Sequence, residues 1–149
     1  MSKYEELDAL YAELPTVACQ RKCWNYCGPI LIPKIEAQRL EEKRGVLETI
    51  PIFEEKGWEP GIGKHLPTPE SLRRDFIGLV PDGETKCVFL SLMGACMAYS
   101  IRPAVCRFWG VTDNEWMRCP FGCVPTRWMS NLEFKELLEK IVAIQNRRE

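Results

Sequence analysis

Eight cysteines fall in three groups along this chain: Cys19-x3-Cys23-x3-Cys27, then Cys87, Cys96 and Cys106, then Cys119-x3-Cys123. A single histidine, His65, accompanies them. Any fold this chain adopts must place that sulfur as disulfides, buried thiols or metal thiolates, and each choice suits a different redox compartment. The opening Met-Ser-Lys-Tyr-Glu-Glu-Leu has neither the basic start nor the apolar run of a secretory leader. That predicts a cytoplasmic protein, in which cysteines persist as thiols or metal ligands. Eight cysteines in 149 residues, about 5%, also falls below the roughly 8–10% of small disulfide scaffolds. The expectation is a soft metal or an iron–sulfur cluster.

Composition narrows the partners. With 46% hydrophobic and 28% charged residues, the chain reads as one soluble globular domain, residues 1–149. No stretch approaches the ~18 apolar residues of a membrane span. A net charge of -1 supplies no field to draw the protein onto nucleic acid. The basic pairs Arg21-Lys22, Lys43-Arg44, Arg73-Arg74 and Arg147-Arg148 are short, and the five tryptophans have no basic stripe beside them. The expected partner is a redox or other protein; its identity and the oligomeric state are left open.

Local signals predict an α+β fold, mainly helical with a small β-hairpin, a compact domain organised around a cysteine-ligated metal centre. Ser2 and Glu5 form a capping box, and Leu7, Leu10, Tyr11 and Leu14 recur on one helical face until Pro15. Residues 16–27 fit either a helix with its three sulfurs on one stripe or a loop wrapped round a metal. Ile30-Leu31-Ile32 reads as extended, 35–44 as a helix with Gly45 past its end, and 46–53 as a short strand broken by Pro51. The Gly- and Pro-rich stretch 54–67, which holds His65, reads as a long loop. Thr68-Pro69-Glu70 starts a short helix through Phe76. Residues 87–99 suggest a hairpin bending near Gly94. With Leu90 facing Ala95, Cys87 and Cys96 share one face of that ribbon. Arg102-Pro103 predicts a short helix over 104–109 closed by Gly110, with Cys106 among free N–H groups that favour a thiolate. Ser130 and Glu133 cap a C-terminal helix over about 131–148, whose apolar face is Phe134, Leu137, Leu138, Ile141 and Ile144.

Four thiolates are the usual complement of a structural zinc or of either common iron–sulfur cluster. Zinc ribbons use paired C-x2-C knuckles, whereas the short spacings here are all x3, which favours iron–sulfur, most simply [4Fe-4S], with zinc as the alternative. Arg21, Lys22, Arg107 and Arg118 flank cysteines and suit the excess negative charge of a thiolate centre.

Within Cys87-Val-Phe-Leu90, Cys96-Met-Ala-Tyr99 and Arg102-Pro103-Ala-Val-Cys106-Arg107-Phe108, the chain resembles the YkgJ family of zinc- or iron-chelating proteins, which carry a CxxxCxxCC-type motif. Cys19, Cys23, Cys27-Gly-Pro-Ile30 and the following Glu36 and Leu40 are similar to that family's opening motif and helix. The likeness spans roughly residues 19–110. One departure stands out: Tyr26 precedes Cys27 where the family often has a second cysteine. The resemblance implies Cys87, Cys96 and Cys106 as ligands, then Cys23 and Cys27. Cys19, Cys119 and Cys123 complete that site, build a second, or stay buried thiols. Arg102 and Arg107 balance charge or touch a bound group.

Three functions follow as expectations. The first is a cysteine-ligated redox or carrier protein holding an iron–sulfur cluster. The second is an enzyme, because a YkgJ-like region also occurs in flagellin lysine N-methylase; that resemblance implies cluster-assisted methyl transfer from S-adenosylmethionine. Against it, no Gly-rich strand-to-helix motif is present, and the radical S-adenosylmethionine spacing C-x3-C-x2-C is one residue shorter than the spacing here. The third is a structural zinc module that supports protein contacts.

Overall fold

The computed structural model describes residues 1–17, 30–44, 49–50, 74–79, 98–112, 117–119 and 122–148. The readings placed on Cys19, Cys23, Cys27, His65, Cys87, Cys96, the 54–67 loop and the bend at Gly94 lie outside these residues. What is described is a mixture of helices and a small antiparallel sheet. In chain order the elements are α1 (Lys3–Ala12), β1 (Ile30–Pro33), α2 (Lys34–Arg44), β2 (Thr49–Ile50) and β3 (Phe76–Leu79). A 3-10 turn (Tyr99–Ile101), α3 (Ala104–Phe108) and α4 (Asn131–Asn146) follow.

The two long-range helices start as the sequence predicts. The Ser2 side chain accepts from the N–H of Glu5, whose carboxylate in turn accepts from the N–H of Ser2. Ser130 and Glu133 repeat this at the head of α4. Each box satisfies donors that a helix N-terminus otherwise leaves orphaned. Ser130→Ala is therefore expected to cost about 1 kcal/mol in a denaturation curve, with α4 still formed.

α4 then supplies the floor of the core. Phe134, Leu137, Leu138 and Ile141 recur at helical spacing and are all buried. They meet Leu7 and Tyr11 of α1, Ile35 of α2 and Phe108 of α3. The ends of α1 and α4 are tied at the surface. Lys3 Nζ donates to the carbonyls of Gln145 (3.0 Å) and Arg147 (3.1 Å), placing a cation on the negative end of α4. Arg147 returns a two-pronged bond to Glu6, at 2.6 and 2.5 Å.

The sheet has the order β1-β3-β2, antiparallel throughout. Ile30 pairs with Leu79, Pro33 with Phe76 and Thr49 with Leu79. Among the described strands β1 lies at the edge, a place that tolerates Pro33 at its end. The helix expected through Phe76 is corrected here: Arg74 and Asp75 are helical, and Phe76 opens the central strand. A second apolar cluster of Ile32, Ala37, Leu40 and Ala98 lies beneath, and Val105 packs against both clusters. That double contact locks α3 between sheet and helices. Among the described residues, no helix is long and apolar enough to cross a membrane.

Candidate metal centre

Three cysteines, Cys106, Cys119 and Cys123, lie among the described residues, and each is half-buried. Cys106 sits in α3. Arg102, extended at φ -55 and ψ 138 as a residue before proline should be, leads into Pro103, the cap of α3 at φ -60 and ψ 161. The donors expected to serve a Cys106 thiolate are in part already engaged. The N–H of Ala104 donates to Glu36 Oε2 at 2.6 Å, and that of Cys106 to the Pro103 carbonyl at 3.0 Å. A five-residue helix also has too little dipole to help, so this element of the expectation is corrected.

Beyond α3 the chain turns back on itself. Gly110 adopts φ +85, a conformation that residues with a Cβ rarely take. Its N–H donates to the Met117 carbonyl at 2.9 Å. A methyl placed on Gly110 would stand 4.0 Å from Cβ of Cys119, so the second cysteine-bearing loop lies against the end of the helix that holds the first. From there the Gly122 N–H reaches back to the Cys119 carbonyl at 3.4 Å, and Gly122 has φ +78. This closes the tight segment between Cys119 and Cys123. Gly110→Ala meets no steric block at that distance; the conformation alone is expected to cost about 1–2 kcal/mol in a denaturation curve. Gly110→Asn should cost clearly less.

The loop is anchored a second time. Val17 bridges Pro125 in antiparallel sense, the Thr126 N–H donates to the Thr16 carbonyl at 2.8 Å, and the Thr16 N–H donates to Thr126 Oγ1 at 3.1 Å. Val17 thus stands opposite Pro125, two residues along the chain from Cys123.

The arginines expected near a bound group are occupied with the backbone. Arg102 donates through Nε to the Tyr99 carbonyl at 3.0 Å and lies 3.8 Å above the Tyr99 ring. Arg107 donates to the carbonyls of Arg102 (2.8 Å) and Ser100 (3.0 Å) and stacks 4.1 Å from the Tyr11 ring centre. Arg118, beside Cys119, lies 5.9 Å over the exposed ring of Trp128. Arg102 and Arg107 fix the shape of the 99–107 segment, and Arg107 and Arg118 are the chain neighbours of Cys106 and Cys119.

Among the described residues, no three His, Cys, Asp or Glu side chains stand together as a metal site. No family model, no curated protein and no solved structure matches the chain. The donor set must therefore be judged on its chemistry. Cysteine sulfur with neighbouring guanidinium charge fits a soft metal or an iron–sulfur cluster and suits a hard, oxygen-seeking cation badly.

Sequence reasoning placed Glu36 only within the family-like helix and did not anticipate its burial or its partners. Glu36 is only 2% exposed, and it accepts from the Tyr11 hydroxyl as well as from the N–H of Ala104. The usable signal was its place on the same face of α2 as Leu40, flanked by Ile35 and Ala37, which are all buried.

Proposed function

We propose that the protein binds an iron–sulfur cluster, most simply [4Fe-4S], through cysteine thiolates and works as a small redox or carrier protein. The observation that supports this reading is the approach of Cys119 to Gly110, two residues past the end of the helix that carries Cys106. The resemblance to YkgJ proteins points the same way. In this reading Cys106, Cys87 and Cys96 are ligands, with Cys23 and Cys27 next, and Cys19, Cys119 and Cys123 complete the set or build a second centre. A cluster of this kind takes up and releases one electron, at a potential set by nearby charge and hydrogen bonds. The chain's own part in this reading is to fix Arg102 and Arg107 through the Tyr99, Arg102 and Ser100 carbonyls, with Arg107 next to Cys106 in the chain as a charge to offset a thiolate.

The test is anaerobic purification followed by reductive titration with electron paramagnetic resonance. A paramagnetic signal that appears on reduction and a visible band that bleaches in step are the expected results. Colourless protein carrying stoichiometric zinc would overturn the iron reading in favour of a structural zinc module. Saturable binding of S-adenosylmethionine would move the assignment to cluster-assisted methyl transfer.

A further inference from the structure

We propose that Glu36 is a buried proton-binding latch: the acid keeps its proton, on Oε1, while α1, α2 and α3 are closed around it, and release of that proton to solvent opens this junction to water. The proposal rests on how the two carboxyl oxygens are used. Oε2 accepts from the Tyr11 hydroxyl of α1 and from the Ala104 N–H of α3, so this one atom, carried by α2, joins three elements. Oε1 is sealed from solvent and has no hydrogen-bond partner among the described residues. An ionised carboxylate with one oxygen bare in a core is strongly disfavoured, whereas a hydrogen on that oxygen removes the charge and leaves both Oε2 bonds intact.

Asp75 is the internal control. It is as well covered from solvent but lies nearer the surface, where the largely exposed Arg74 donates to both of its oxygens at 3.0 Å and Asn146 adds a third bond at 3.0 Å. Its carboxyl is held below the usual range, chiefly by the Arg74 bond. The two buried carboxyls among the described residues thus stand in opposite environments, and of the two Glu36 is the one built to be neutral.

The charged and titratable groups around Glu36 come from each neighbouring element. α1 presents Tyr11 and Asp8, α2 itself presents Arg39, and α3 presents Arg107, while α4 offers the neutral amide of Gln145 to the start of α2. Arg39 is answered by Asp8 at 2.7 and 3.1 Å, and Arg107 is engaged with the carbonyls of Arg102 and Ser100. Burial outweighs what these cations and the two donors offer the anion, and Glu36 is pushed up from 4.5 to about 7. Since the folded value lies above the unfolded one, the stabilisation is whole at low pH. It declines as pH rises from about 4.5 towards about 7 and is gone above that.

The latch makes no use of a metal, so its test stands apart from that of the cysteine centre. The Glu36 carboxyl carbon is followed by nuclear magnetic resonance from about pH 4 to about pH 9 and assigned through its own side-chain couplings. A midpoint near 7 is expected, and Tyr11→Phe, which removes a donor to Oε2, should move it upward by about one pH unit. Protection of the Ala104 amide, taken relative to its base-catalysed intrinsic exchange rate, should fall above the midpoint in the native protein and stay level in Glu36→Gln, which mimics the protonated acid. Protection that does not change across the midpoint in the native protein would also overturn the proposal. A midpoint at the ordinary glutamate value of about 4.3 would overturn the proposal, and so would a Tyr11→Phe shift that is absent or downward. If Glu36→Gln does not fold, the native titration and Tyr11→Phe still decide.

Discussion

Phe108→Ala is expected to remove about 3–5 kcal/mol of folding stability, which is much of what a domain of this size has. Phe108 is 1% exposed, and its ring stacks on Phe134 with centroids 4.2 Å apart and planes within 5°. It is the main apolar anchor of a helix only five residues long, too short to persist without tertiary contacts. Deleting the ring leaves a cavity between α3 and α4, and the surrounding side chains of Leu137 and Ile141 are held by their own helix and cannot collapse fully into it. Chemical denaturation followed by circular dichroism reads the loss directly. A cost below about 1 kcal/mol would mean that this ring pair does not hold α3 to the core.

The second large effect concerns the sulfur. If the chain holds iron as proposed, Cys106→Ala should weaken that binding by on the order of 100-fold or more, because even changes one shell out from a metal cost 10–100-fold. Cys106 is half-buried and its backbone hydrogen bond to Pro103 does not depend on its side chain, so the fold should survive the change. The measurement is iron per chain after identical anaerobic handling, with circular dichroism to confirm helix content. Native-level iron and an unchanged visible spectrum in the variant would remove Cys106 from the ligand set.

Local chemistry was the legible part of this sequence. Ser2 with Glu5 and Ser130 with Glu133 announced two helix starts, since a capping box is complete within four residues. The stripe Phe134, Leu137, Leu138 and Ile141 gave the buried face of α4, and Arg102-Pro103 with Gly110 bracketed α3. What escaped depends on distant partners. β3 is four residues long, contains Gly78, and exists because Phe76 to Leu79 pair with β1 and β2, neither of which is a sequence neighbour. Its first residue, Phe76, reads in sequence as the end of a helix, and Ile77 to Leu79 carry no strand signal strong enough to be assigned. Glu36 looked like an ordinary helical glutamate, because nothing near it in the chain reveals Tyr11 above or Ala104 beside it. For the site, sequence supplied the sulfur and its spacing. The meeting of the Cys119 loop with Gly110 needed the fold, because a hydrogen bond to Met117 and a left-handed glycine set it.

The decisive measurement is the iron, zinc and acid-labile sulfide content of protein isolated without oxygen. Binding of a [4Fe-4S] cluster predicts iron and sulfide in equal amounts, lost together when Cys106 is replaced. Protein that holds neither metal, with its cysteines joined to one another in pairs, would contradict the account.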